Sequence, residues 1–185
     1  MATATNPAIR FQADRLRFPG MQLREILIWK NWLYQNSTRF DRYEYNVRLG
    51  DGVDPGPSYP DSSRRMWIAN SMKRVDVVAV KGSSVTIIEV EENPGLTAFG
   101  QLAGYVVLWR ARIANGGPPL VHLSLGVEKL FPDDLPLDPN PGTLLVCARI
   151  GNDALAVARS SGVAVEVIPT DFSPLKPGAR GMRVG

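Results

Sequence analysis

Two short segments, residues 74–80 (RVDVVAV) and 84–90 (SVTIIEV), constrain the fold of this chain more than any other stretch. A strand built from either is apolar on both faces, and such strands are stable only in a sheet covered on both sides by helices or other layers. Lys81, Gly82, Ser83 and Ser84 link them. Gly then Ser at the central positions suits a two-residue hairpin turn, because Gly accepts the positive φ required there. A turn of that length sets the register: Lys81 opposes Ser84, Val78 opposes Ile87, and Asp76 opposes Glu89.

Directly opposed side chains have Cβ atoms roughly 4.5–5.5 Å apart, and like charges so placed destabilise a sheet. Two carboxylates inside an otherwise apolar strand pair therefore need a cause. A bound hard cation is the economical one, since Mg²⁺ takes carboxylate oxygens and keeps waters for a phosphate. Alternation puts Glu91 on the face of Glu89, so Asp76, Glu89 and Glu91 are expected to line one edge of the sheet. The plainer reading pairs Glu91 with its cross-strand neighbour Arg74 and leaves Glu89 solvated near a strand end, an arrangement worth little in energy. Against it, Val75, Val77, Ile88 and Val90 fill the other face.

The flanking sequence supplies the layers that such strands need. Residues 21–36 (MQLREILIWKNWLYQN) repeat apolar side chains at helical spacing, with Leu23, Ile26, Leu27, Trp29, Leu33 and Tyr34. Residues 40–49 alternate Tyr43, Tyr45 and Val47 with charge, which predicts a strand with one polar face. Residues 50–63 hold three Pro and three Gly and read as a loop, and residues 64–70 as a short extra strand. A long helix is expected over 96–114, between Asn93-Pro94-Gly95 and Asn115-Gly116-Gly117. Strands follow at 120–127 and 143–150, separated by an acidic, Pro-rich loop at 131–142. A short helix at 153–161 stops at Gly162, before a last strand at 163–168. Residues 1–20 lack periodicity and read as an arm ordered only against something else, and residues 169–185 as a Pro- and Gly-rich basic tail. One domain, 21–168, remains.

Composition agrees with a globular domain, at 44% hydrophobic and 21% charged residues over 185 positions. The net charge of +3 permits a polyanionic partner without demanding one. Both ends are basic: Arg10, Arg15, Arg17 and Arg24 face only Asp14 near the start, and Lys176, Arg180 and Arg183 stand in the last ten residues. A single cysteine, Cys147, excludes an intramolecular disulfide and an all-cysteine zinc cage, and its neighbours Leu144, Leu145, Val146 and Ala148 predict a buried strand thiol. His122, the only histidine, falls in an apolar strand without a nucleophile motif. Trp29, Trp32, Trp67 and Trp109 could stack on bases, although helical spacing favours core packing for the first two. No phosphate-cradling glycine loop is present. No stretch is long enough to span a bilayer and no signal sequence opens the chain, so no membrane partner is expected, and the location implied is the cytoplasm or a particle.

Asp76 and the Glu89-Val90-Glu91 run, separated by twelve residues and placed on two adjoining strands, resemble the motif of the PD-(D/E)XK nuclease superfamily. The resemblance covers roughly residues 21–168. It implies an α/β, restriction-endonuclease-like αβββαβ core: a central mixed sheet flanked by helices, here with extended N- and C-terminal arms. Its metal-binding acids lie on the second and third strands, so Asp76 and Glu89 would hold Mg²⁺ or Mn²⁺ and Glu91 would act on the attacking water. Gln101 and Tyr105, four apart in the long helix, match a Gln or Tyr often found there, and Glu25 matches an additional acid carried by some members. DNA is the implied partner, with Arg64, Arg65, Lys73, Arg74, Arg110 and Arg112 as candidate backbone contacts. Glu91 stands where the family usually has Lys, and Val75 where its name implies Pro; a minority of restriction-type members carry Glu in the Lys position. The resemblance thus implies one of two functions. One is metal-dependent DNA hydrolysis, for which a phage-encoded protein is one source. The other is a degenerate nuclease fold serving as a head-completion, neck or connector component of a phage particle, contacting other virion subunits or copies of itself.

Overall fold

The computed structural model describes residues 18–116, 120–124, 127–130 and 138–173. Among these, four helices and seven strands follow one another as α1 (Leu23–Gln35), β1 (Arg42–Leu49), α2 (Asp61–Ser71), β2 (Lys73–Lys81), β3 (Ser84–Glu91), α3 (Leu96–Ala114), β4 (Leu120–Ser124), β5 (Val127–Leu130), β6 (Gly142–Cys147), α4 (Asn152–Ser161) and β7 (Ala164–Val167). The strands make one mixed sheet in the order β5-β4-β1-β2-β3-β6-β7. β1, β2 and β3 form an antiparallel meander, and β6 and β7 add in parallel beyond β3. A parallel neighbour requires a crossover, and α3 lies within the one from β3 to β6.

Apolar strands at the centre are covered on both faces, as their composition requires. On one face α1 buries Ile26, Ile28, Trp29, Trp32 and Leu33. Trp29 and Trp32 stack with ring centroids 4.7 Å apart, and Tyr43 meets both edge-on. Burying such rings strands their polar atoms unless partners are supplied. The Trp29 indole N–H donates to the Tyr45 hydroxyl at 3.3 Å and that of Trp32 to Glu166 at 2.6 Å. On the other face α3 buries Ala98, Phe99, Leu102, Tyr105 and Trp109, a stripe at three- and four-residue spacing. There it meets Val78, Val80, Val85, Ile87 and Leu145, with Ala154 and Ala158 of α4 in the same core. Cys147 is a free, buried thiol in β6. Burial, then the charge of Glu91, pushes it up to about 11.

The hairpin turn forms as expected, with Gly82 at φ +56° and the pairs Lys81↔Ser84, Val80↔Val85, Ala79↔Thr86, Val78↔Ile87 and Val77↔Ile88. Four expectations need correction. Residues 64–70 are helical rather than a strand, and the preceding loop ends at Pro60, the N-cap of α2, whose carbonyl accepts the Arg64 N–H at 2.9 Å. Proline fits this place because its missing N–H would have no helical partner. The strand expected over 120–127 is the start of a β4–β5 hairpin. β1 keeps its polar face only at Arg42 and Glu44: from Tyr45 to Leu49 every residue is buried, Arg48 included. Phe18, within the expected arm, is buried against Tyr45 with ring centroids 5.1 Å apart. The remainder of both arms, residues 1–17 and 174–185, lies outside the described residues, as does most of the 131–142 loop.

Candidate functional site

The site begins with a break in strand alternation. Side chains two apart along a strand share a face. Tyr43 and Tyr45 nevertheless belong to the α1-side core while Val47 and Leu49 belong to the α3-side core. β2 does the same, with Ala79 and Val77 on the α1 side and Val75 on the α3 side. Both strands therefore turn over between Tyr45↔Val77 and Val47↔Val75, although the register on either side is unchanged. The residues at the turnover are Asn46 and Asp76. Asn46 has φ +53°, making it the one non-glycine residue with positive φ among those described. Asn tolerates this conformation better than a branched residue does. Its side chain is buried beneath Gly20, where an added Cβ would stand 3.1 Å from the Asn46 Oδ1.

β2 leaves β3 at this point. Its pairing to β1 continues to Lys73, whereas its pairing to β3 ends at Val77↔Ile88. The expected Asp76–Glu89 ladder pair therefore does not form. In its place the half-buried Asp76 carboxylate accepts the Val90 N–H at 3.0 Å. Glu89 is only 6% exposed, and its Oε2 has no hydrogen-bond partner. The solvated reading of Glu89 fails on that number. The alternative role for Glu91 fails too, since among the described residues no ion pair joins it to Arg74.

Four carboxyls gather here, and each is raised above its ordinary range. Burial, then the charges of Asp76, Glu91 and Glu25, pushes Glu89 up to about 9, partly offset by the Asp76 backbone N–H. Burial likewise pushes Asp76 up to about 7, against the Val90 hydrogen bond and with help from Glu25 and Glu91. Glu91 is raised by burial and by Glu25. Glu25 reaches the group from α1, raised by burial, while its Oε2 accepts the Gln22 N–H at 2.6 Å. Among the described residues no three such groups converge closely enough to ligate one ion in this conformation. Within this cluster Glu89 carries an unsatisfied oxygen.

The remaining candidates divide by position. Tyr105 borders the acids: its hydroxyl donates to the Arg74 carbonyl at 2.7 Å, and burial followed by the charges of Glu89, Asp76 and Glu91 raises its pKa. Gln101 is exposed and lines a groove of about 800 Å³ together with Tyr105, Lys73, Gly100 and Gly104. Arg65, Lys73 and Arg74 are exposed. Arg64 is committed to Asp54, to which it donates from both Nε and Nη2. Arg110 donates to the Pro139 carbonyl and the Asn140 side chain, and half-buried Arg112 lies near Asp51. The His122 side chain lies outside the described residues. Sequence reasoning missed Asn46, whose only signal was its residue type in a strand, and Glu92, which bridges Arg24 and Arg149 at 2.6 and 2.9 Å.

Comparison with family models, with curated proteins and with solved structures gave no match. Among the described residues no helix is long and apolar enough to cross a membrane.

Proposed function

We propose that this chain is a metal-dependent nuclease of the PD-(D/E)XK type, hydrolysing DNA phosphodiesters. The observation that carries the reading is Glu89, a buried carboxyl with an unpartnered oxygen, set among Asp76, Glu91 and Glu25. Buried charge of one sign is costly unless a counter-charge answers it. The order of elements supports the same reading: α1, the β1-β2-β3 meander, α3 and parallel β6, with Asp76 on the second strand and Glu89 and Glu91 on the third.

Carboxylate oxygens suit a hard cation, so Asp76 and Glu89 would hold Mg²⁺ or Mn²⁺. When bound, the ion supplies positive charge opposite the phosphate oxygens and acidifies water. Glu91 would take the proton of the attacking water at a carboxylate oxygen. Gln101 orients the phosphate from the groove wall, and Arg65, Lys73 and Arg74 hold the DNA backbone. A second reading, a structural protein of a phage particle built on a degenerate nuclease fold, draws on the Asp76 oxygen already engaged by Val90.

Calorimetric titration with Mn²⁺ and Mg²⁺, paired with cleavage of supercoiled plasmid, separates the two. The nuclease reading expects metal binding and nicking by the wild type, both lost in Asp76→Asn and Glu89→Gln. Absence of both from the folded wild-type protein would sink it.

A further inference from the structure

We propose that α2 and the groove along α3 form a binding surface for single-stranded DNA, with Trp67 as the stacking platform; this rests on the nuclease reading and specifies its substrate as unpaired strand. No residue of α2 is buried. Instead the helix presents Met66 and Trp67 at 62% and 53% exposure, and Tyr59 just before it is 46% exposed with its ring centroid 6.3 Å from that of Trp67. The other three tryptophans are fully enclosed, at 0% or 1%. Large aromatic rings left in water on a helix that gives nothing to the core require a different account from core packing.

Charge identifies the occupant. Between Tyr59 and Arg74 stand four cations, Arg64, Arg65, Lys73 and Arg74, against Asp61 alone, and Arg64 answers Asp54. Arg65, Lys73 and Arg74 are exposed. Exposed aromatic faces on the same short stretch of chain as these cations match a strand that offers bare bases and phosphates together. A duplex offers no free base faces, so it would set these rings against its phosphates. An apolar protein face would satisfy the rings and leave the cations unanswered.

The path also leads to the acids. α2 ends at Ser71, Lys73 opens β2 and lines the α3 groove, and Asp76 follows three residues later. Along that groove Gly100 and Gly104 have nothing within 4 Å of where a Cβ would be, so a strand can approach the helix backbone closely. Tyr105 closes the inner wall beside Glu89.

Fluorescence anisotropy with a labelled single-stranded oligo(dT) and a duplex of equal length, in EDTA, tests the surface without cleavage. The full chain is expected to bind the single strand more tightly than the duplex. Trp67→Ala should weaken that binding about 5- to 150-fold, from a stacking energy of about 1–3 kcal/mol per base, with Trp67→Phe in between. Arg65→Ala should shallow the salt dependence. Because Trp67 is exposed, its variants should keep the wild-type melting temperature. Equal binding by Trp67→Ala, preference for duplex, or no binding by wild type would overturn the proposal. So would loss of a wild-type dimer in Trp67→Ala on sedimentation, which would assign the patch to a second copy. Retained strand binding with no metal-dependent cutting would leave this surface standing and reject the nuclease reading; cutting unaffected by Trp67→Ala would do the reverse.

Discussion

The metal-free protein should lose stability as pH rises, because its buried carboxyls hold protons that the unfolded chain releases. Asp76 is raised from 3.8 to about 7 and Glu89 from 4.5 to about 9. The folded state therefore binds more protons than the unfolded state above the ordinary carboxylate range, and stability falls with pH until the folded groups ionise. Each proton contributes a slope of about 1.4 kcal/mol per pH unit. Between the two folded values the coupled pair still holds about one proton, so moving from pH 7 to 8 should remove on the order of 1 kcal/mol, a sizeable share of a stability of about 5–15 kcal/mol. Below pH 7 Asp76 adds its own proton and the slope steepens. Urea unfolding in EDTA at pH 6, 7 and 8, followed by tryptophan fluorescence, measures it. Glu89→Gln keeps the shape without the titration, so it should flatten the curve above pH 7 and be more stable than wild type at pH 8. Saturating Mn²⁺ should flatten it as well, the ion taking the place of the protons. Wild-type stability that is level or rising from pH 6 to 8, or a Glu89→Gln slope equal to wild type, refutes the reasoning.

Three substitutions probe the framework that holds the site. Asn46→Val forces a branched residue into a left-handed conformation and should cost about 1–2 kcal/mol, whereas Asn46→Gly should stay near wild type by urea unfolding; equal stability of the two would deny the positive φ. Gly52→Ala would set a Cβ 2.3 Å from the Ile68 carbonyl at φ +68°, so limited proteolysis should open the 50–60 loop and α2 first. Tyr105→Phe removes the donor to the Arg74 carbonyl and should cost about 1 kcal/mol, lowering the melting temperature by roughly 2–4 °C.

Features that arise from short-range chemistry were legible in the sequence. The Gly82 turn determined five ladder pairs, and the Asn-Pro-Gly and Asn-Gly-Gly boundaries located α3 at Leu96–Ala114. The stacked pair Trp29 and Trp32 follows from three-residue spacing on a helix. α2 was hidden for a physical reason: a helix that buries no residue has no apolar stripe to read, and RRMWIAN then resembles a strand. The carboxylates were identified correctly as neighbours, yet their mode of meeting was not. Alternation predicts a ladder pair, and only the three-dimensional path of β2 shows Asp76 turning to the Val90 N–H.

That path is where sequence periodicity misleads. Tyr43, Tyr45, Val47 and Leu49 alternate without interruption, so the pattern implies one continuous face. The strand nonetheless feeds two cores, because Asn46 at φ +53° rotates everything after it by one face. Asp76 on the neighbouring strand turns over with it, preserving register to β1 while giving up its pairing with β3. A straight β2 would continue the ladder and pin the two acids at fixed cross-strand separation. Releasing β2 instead leaves the end of β3 unpaired on that side, where Glu89 and Glu91 stand and Glu25 acts on them from α1. Backbone held in a sparsely populated conformation persists when surrounding packing over-determines it, and such strain gathers at sites that act. Asn46 stands across the β1–β2 ladder from Asp76, so the turnover is expected to set where that carboxylate lies. Asn46→Val should therefore weaken Mn²⁺ binding in calorimetry even under conditions where the variant is fully folded, and Asn46→Gly should restore it; unchanged affinity in folded Asn46→Val would separate the turnover from the site.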